Sequence, residues 1–536
     1  MTGILAVAPM LVVLVTGTLT LVVRSQPRLQ RAVSVGGTVA YAGAVALLAR
    51  GVVFGADAAA VAYQLGGWRA PFGITLVADS LSAFMLAITA VVAVYSVVFS
   101  VRFIDERNQR VYYHPLFHFL LLGATGAFLT GDLFNLFVWF EVMLMASYVF
   151  VSFYGNAEHT AAAVRYVVLN IVGGVLMLLG IGGLYATTGT LNMADMAQQL
   201  AQPGVATGPV VGLSALVLVT FALKAGLVPF QFWVPSAYRA APIPVVAMFA
   251  GATKKVGIYA IIRLYFTVFG NASVPTSVPG FAGDSPLVFL APVLVVMGLS
   301  SILVGGVGAV SRETLDGLFA YSSIGQLGFI TVPLSIAAAT TSPSLRHLGL
   351  LAALVFAFHH ALSKGLLFLS TGVVRDAVGT TQLSKLGGLG AHSPAFASVM
   401  LVGGLSLVGV PPLAGFFGKL FVFDAAVRQV AAGAPGNTAG TVGAVAVLVV
   451  LLVGAGLTIL YATRAWMGTF WGSETEAVAT GTVDSLEVAI LATLAGVVVV
   501  TGLGFEPVYE FADAAASAAI DTDGYVEVVD LGGEGE

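Results

Sequence analysis

Long apolar stretches, each bounded by charge, Gly or Pro, leave this chain of 536 residues little choice of environment. A helix needs about 20 apolar residues to cross roughly 30 Å of hydrocarbon, and about fourteen such stretches are present. They run near 3–23, 32–53, 78–100, 114–130, 132–153, 164–186, 209–238, 243–264, 286–308, 317–338, 349–374, 395–426, 441–472 and 484–504. Three of them, 209–238, 395–426 and 441–472, are too long or too broken for one simple span. No separate soluble domain fits between the segments. The first lacks a basic n-region and a small-residue cleavage site, so a retained helix is expected there. The expected fold is an all-α polytopic membrane protein with about fourteen transmembrane helices. Only 9% of the residues are charged, where a soluble domain carries about a quarter, which excludes an ordinary cytosolic enzyme. With no cysteine, a disulfide scaffold, a thiolate metal site and thiol redox chemistry are excluded as well.

Lys and Arg resist translocation, so their distribution among loops predicts orientation. Twelve basic residues follow odd-numbered segments and five follow even-numbered ones. That puts the odd loops in the cytoplasm and both termini outside. From Glu506 to the end there are nine acids and no base. This acidic tail, 506–536, reads first as a solvated end, with a partner contact or a cation-attracting surface as alternatives.

The remaining five basic residues are all lysines inside expected spans: Lys224, Lys254, Lys255, Lys364 and Lys419. All 16 arginines sit in loops or near span ends. Arginine keeps its proton under every condition a protein meets, whereas a buried lysine can be driven to release it. A chain that admits only lysine at depth is suited to exchanging protons. Lys254 and Lys255 are adjacent, hence about 100° apart round a helix. Both are therefore not expected to face one polar interior, and Lys254 is expected to snorkel or to pack. One carboxylate, Glu141, lies comparably deep, nine residues beyond Asp132, or roughly 13 Å along a helix. Its natural partner is one of the lysines. A pair at about 4 Å with an effective dielectric near 20 is worth about 4 kcal/mol, enough for movement of the carboxylate to release a lysine proton.

Two spans carry Pro close to a lysine, in Lys224-Ala-Gly-Leu-Val-Pro229 and in Pro411-Pro412-Leu-Ala-Gly-Phe-Phe-Gly-Lys419. Proline removes a donor and clashes with the preceding turn, so each helix is expected to be interrupted at depth. Paired interruptions at corresponding places are the mark of a repeat transporter. The expected organisation is helices 1–3 in 1–113, one repeat in 114–264 with helix 7 broken, and an inverted repeat in 286–472 with helix 12 broken. The last helix falls in 473–505. In segment eleven, His360 and Lys364 share a helix face four residues apart, and histidine titrates near neutrality, as a relay between lysines requires. A zinc site is a poor alternative, because no second ligand cluster accompanies the pair.

These residues resemble the antiporter-like subunits shared by respiratory complex I and the multisubunit Mrp cation/proton antiporters. The likeness runs from about residue 75 to 425. It is carried by Phe-Glu141, Lys224-Ala-Gly-Leu-Val-Pro-Phe-Gln-Phe-Trp-Val-Pro, Lys255-Val-Gly-Ile-Tyr-Ala-Ile-Ile-Arg263, Ala320-Tyr-Ser-Ser323, His360-Ala-Leu-Ser-Lys364 and Pro411-Pro-Leu-Ala-Gly-Phe-Phe-Gly-Lys419. Within the family, the stretch around Glu141 and the one at 235–242 look most like the D-type subunit of Mrp, and Lys419 argues against the complex I subunit that has Glu there. The resemblance implies two inverted five-helix units whose half-channels meet on a central hydrated axis. It also implies that Glu141 modulates Lys224, that Lys255, His360 and Lys364 form the middle of the relay, and that Lys419 is the terminal proton site. Lys254 has no counterpart in the motif. Where the family has two basic residues before Ala320, this chain has Asp316-Gly317.

The first functional reading is a proton-translocating subunit of a multisubunit Na+/H+ antiporter in a prokaryotic plasma membrane, working with partner subunits and the lipid bilayer, with H+ and Na+ as transported ions. It is an ion-transport subunit rather than an enzyme, with no cofactor, resident metal or nucleic-acid partner. The second is a membrane-arm subunit of complex I or of a membrane-bound hydrogenase. The third is a non-conducting scaffold subunit, which has no need of five buried lysines.

Overall fold

In the computed structural model of the chain, residues 2–202, 205, 207–278, 281–432 and 438–531 are described. Where water is excluded, backbone N–H and C=O groups must find partners inside their own segment, so the apolar stretches become helices. The principal ones are α1 (Thr2–Val22), α2 (Pro27–Ala49), α3 (Ser80–Phe103), α4 (His114–Leu129), α5 (Leu133–Val151) and α6 (Ala157–Thr188). Then come α7 (Val210–Ala225), α8 (Trp233–Ala240), α9 (Ile243–Val268), α10 (Leu287–Val310), α11 (Leu315–Ala339) and α12 (Pro343–Val378). The chain finishes with α13 (Pro394–Val408), α14 (Ala414–Ala431), α15 (Thr438–Phe470), α16 (Ser485–Leu503), α17 (Glu506–Ile520) and α18 (Thr522–Val529). Among the described residues, eleven helices have the length and composition to cross a membrane, and α4, α7 and α13 are shorter apolar helices. Each expected segment falls on one helix except 209–238 and 395–426, which fall on the pairs α7–α8 and α13–α14. The segment at 441–472 is not broken: α15 runs 33 residues without interruption.

Strands β1 (Val61–Gln64) and β2 (Thr75–Ala78) form an antiparallel pair with Val61 opposite Ala78. A second pair joins β3 (Thr276–Val278) to β4 (Phe281–Gly283). At the centre lie α9, α11 and α12, whose most apolar stretches are 100%, 94% and 94% buried, whereas the corresponding part of α15 is only 22% buried. Helices α10 and α11 approach closely through glycines: any side chain at Gly305 would collide with the Gly325 backbone. Small residues permit such backbone contact where no hydrophobic force separates protein from solvent.

Two features depart from the expectation. The described part of the acidic tail is not a solvated end but the helices α17 and α18, packed on the body. Ala512, Ala515, Ala516 and Ala519 recur at helical spacing and are buried, while Phe511 meets Phe54 and Phe84 edge-on, each at 5.2 Å between ring centroids. His347 and Asp513 approach to 2.8 Å. The count of acids hid an amphipathic period. Arg263, expected near a span end and counted among the loop arginines, is 1% exposed. It pairs with Asp79 at 2.6 Å and lies 4.7 Å from the centroid of Tyr525 in α18, so the tail covers it.

Candidate functional site

The first interruption begins where α7 ends at Gly226, whose φ of 73° is left-handed and natural only to glycine. The orphan carbonyl of Leu223 accepts from the Gly226 amide at 3.0 Å and from Trp233 Nε1 at 2.8 Å. The Val228 amide donates to Ser301 Oγ at 2.9 Å. The break is thus held by protein groups, as irregular backbone at depth must be. Lys224, in the last turn of α7, is fully buried. Its ammonium donates to Tyr166 Oη at 3.0 Å and faces the rings of Tyr166 and Trp233 at 5.6 and 6.0 Å. Tyr166 Oη in turn meets Ser147 Oγ at 3.0 Å.

The expected direct pair between Glu141 and a lysine is not formed: among the described residues, Glu141 has no ion-pair partner within 4 Å. Its field still reaches Lys224. Glu141 is only partly buried and its carboxylate lies against Gly174, where a side chain would come within 2.9 Å of Oε1. A tyrosine has taken the place that charge counting gave to the carboxylate.

Helix α9 is buried on every side, and this overturns the expectation that one of its adjacent lysines reaches the interface. The 100° between them points Lys254 and Lys255 at two different interior neighbours. Lys254 faces the first break, with its ammonium 5.7 Å from the Trp233 ring and 5.1 Å from the Tyr238 ring, and it has no hydrogen-bond partner among the described residues. Lys255 points at α12, its Nζ 2.7 Å from His360 Nδ1 and 2.6 Å from the Ala250 carbonyl. A π-helical turn at Phe249–Thr253 precedes the two lysines and resets the direction of everything after it.

On α12, His360 lies within electrostatic reach of Lys254, Lys255, Lys364 and His359. Lys364 donates to the Phe319 carbonyl at 3.0 Å and to Ser322 Oγ, a member of the Ala320-Tyr-Ser-Ser stretch. His359 looks the other way, its ring seated on α14 where Gly415 and Gly418 leave room, and neither ring nitrogen has a partner among the described residues. The second interruption follows α13 at Gly409, with φ of 89°. There Lys419 donates to the Val408 carbonyl at 2.7 Å, so a cation closes the negative end of α13. Lys224 therefore precedes its break and Lys419 follows its own.

Of the residues expected in the site, Lys255 and His360 are in direct contact, Lys364 is in the same buried cluster, and Lys224 with Glu141 and Lys419 lie at its two ends without touching it. Residue spacing did not reveal Tyr166, Ser322 or Trp233, because their roles depend on helix pairings that no local pattern encodes. Asp316 accepts from Thr381 Oγ1 at 2.6 Å and approaches Arg239 Nε at 3.7 Å, so it is engaged within the chain. Chemically, the arrangement is a line of amines and imidazoles whose neighbours are hydroxyls, carbonyls and aromatic faces, all of which tolerate a nitrogen with or without its proton.

Residues 130–433 match the family model described as NADH:quinone oxidoreductase/Mrp antiporter, TM. The chain is 35% identical over 468 residues to the D-type subunit of the Na(+)/H(+) antiporter of Alkalihalophilus pseudofirmus, covering 87% of each protein. Among solved structures it resembles a chain of the membrane-bound sulfane sulfur reductase, an archaeal respiratory membrane complex, with a TM-score of 0.83 and 26% identity over 98% of this chain and 99% of that one. It also resembles a chain of the Mrp complex from a Dietzia species, with a TM-score of 0.82 and 26% identity over 99% of each.

Proposed function

This chain belongs to the NADH:quinone oxidoreductase/Mrp antiporter family of transmembrane subunits, and on that premise we propose that it is the proton-conducting D-type subunit of a multisubunit Na+/H+ antiporter in a prokaryotic plasma membrane. Protons enter near Glu141 and Lys224, cross the centre through Lys255, His360 and Lys364, and leave by way of Lys419. The two broken helices belong to inverted repeats spanning 114–264 and 286–472. The observation that carries this reading is the 2.7 Å contact between Lys255 and His360, two titratable nitrogens fully buried on the two central helices. A fixed scaffold has no use for a cation beside an imidazole, whereas a relay needs adjacent groups that can hold one proton between them. The partly open flank of Glu141 supports a partner subunit, since a carboxylate facing lipid at that depth is costly.

In everted vesicles, Glu141→Ala or Lys224→Ala is expected to leave the complex assembled and to lower proton-driven sodium exchange by roughly a hundredfold or more. Unchanged exchange would reject the assignment. The likeness to a chain of a respiratory membrane complex at a TM-score of 0.83 favours a second reading, a membrane-arm subunit powered by redox chemistry in other chains. Purifying the complex and identifying its subunits separates the two: soluble redox subunits would indicate the second.

A further inference from the structure

We propose that Lys254 is a proton-carrying station in its own right, joining Lys224 at the first break to the Lys255–His360 pair at the centre; the inference rests on the proton-relay reading above. Lys224 and Lys254 flank one indole, that of Trp233, at 6.0 and 5.7 Å from its centroid. Lys254 also lies against the break itself, since a side chain at Gly226 would come within 3.2 Å of its Nζ. It is fully buried and, unlike Lys224, Lys255, Lys364 and Lys419, it has no hydrogen-bond acceptor among the described residues. The groups facing it are Trp233 and Tyr238 from α8; Lys224 from α7 and His360 and Lys364 from α12 are within electrostatic reach, and Lys255 is beside it on α9. The field of Lys224 reaches it, its own field reaches His360 and Lys364 in the central cluster, and among the described residues no carboxylate is paired with it.

Aromatic faces stabilise an ammonium but do not require one, because a neutral amine loses little there while a buried ion loses its hydration. Two ammonium groups on one ring repel, so a proton arriving on Lys224 favours a neutral Lys254 and the reverse. In the transfer, an N–H bond of the Lys224 ammonium breaks as one forms at the free lone pair of Lys254, directly or across a water. Lys224 is left a neutral amine and Lys254 an ammonium. The same exchange then passes the proton to Lys255 or His360, with no change in electron count. The pair therefore carries one proton, and repulsion from the next arrival at Lys224 drives it onward.

The test uses the complete complex in everted vesicles, reading cation-induced collapse of a preformed pH gradient as a function of pH, with co-purification of the other subunits as the measure of assembly. Lys254→Arg keeps the charge and the aromatic contacts but cannot give up its proton. Lys254→Met and Lys254→Arg are each expected to lower exchange by roughly a hundredfold. Lys254→His restores exchange and moves the alkaline limb of the pH profile toward acid, because imidazole holds its proton only at lower pH than an amine. Wild-type rate and pH profile in Lys254→Arg would overturn the proposal in favour of a structural cation. Failure of all three variants to assemble would overturn it equally. If wild-type vesicles show no exchange, or exchange is untouched by Glu141→Ala, the relay reading itself falls; if Glu141→Ala is inactive while Lys254→Arg is normal, only the role of Lys254 does.

Discussion

The buried cations of this chain divide by what stands next to them. Arg263, which cannot lose its charge, has Asp79 at 2.6 Å, whereas Lys224, Lys254, Lys255, Lys364 and Lys419 have no carboxylate within ion-pair distance among the described residues. A permanent charge out of water needs a permanent counter-charge, and removing one partner strands the other. Asp79 also caps α3, accepting from the Ser82 amide at 2.8 Å. Asp79→Ala is therefore expected to destabilise the subunit by about 3–5 kcal/mol, read as a lowered unfolding temperature of the detergent-solubilised complex. Asp79→Ala combined with Arg263→Met should recover much of that loss, and a double variant no better than the single would contradict a stranded charge as the cause. The placing of lysine within the spans was legible in the residues, because it depends only on position along the chain; the burial of Arg263 was not. The neighbours were not: Tyr166 and Ser322 meet their lysines across helix pairs 58 and 42 residues apart in the chain.

At the level of elements, proline announced both interruptions, since it acts on its own backbone whatever surrounds it. What it left open was how each break is closed, by an indole N–H at Leu223 in one case and by an ammonium at Val408 in the other. The adjacent lysines of α9 depart from expectation for a related reason. A helix with one polar interior cannot serve both, but a helix buried all round has interior neighbours on every face. The tail shows the opposite error. Its period of Ala512, Ala515, Ala516 and Ala519 was present in the residues and was outweighed by the nine acids counted from Glu506 onward. Phe511 is 8% exposed and wedged between two other phenylalanines. Phe511→Ala should cost about 3–5 kcal/mol, seen as faster limited proteolysis between 506 and 529 and a lower unfolding temperature. Cleavage of the wild-type tail as rapid as that of an unfolded peptide would show that these helices do not dock.

For the whole molecule, contacts between loops sort by parity. Loops after odd-numbered segments meet one another: Arg102 with Asp484 at 2.5 Å, Arg239 with Glu158 at 3.5 Å, Thr314 with Gln382, and His392 with Glu474 at 2.5 Å. The Arg102 hydrogen bond holds the Asp484 carboxyl below its usual range, so this tie lasts until the pH falls well into acid. Loops after even-numbered segments likewise meet their own kind, in Leu76 with Thr130, Asp132 with Asn192, Thr207 with Ser273, and Gln64 with Val529. Gly3 lies beside Tyr63 of β1, so the beginning of α1 and the end of α18 share one face. Which face is cytoplasmic rests on the excess of Lys and Arg in the odd loops, a rule about translocation and not about packing. The absence of native cysteine permits a direct test. Ser517→Cys and Ser25→Cys each place one exposed thiol, the first among the even loops and the second among the odd ones. In right-side-out vesicles a membrane-impermeant maleimide is expected to label Ser517→Cys at once and Ser25→Cys only after the membrane is opened. The reverse pattern would turn the molecule over and reverse the side from which the Lys419 end of the relay exchanges protons. Labelling of both thiols before opening would break the parity on which the two-sided arrangement of loops depends.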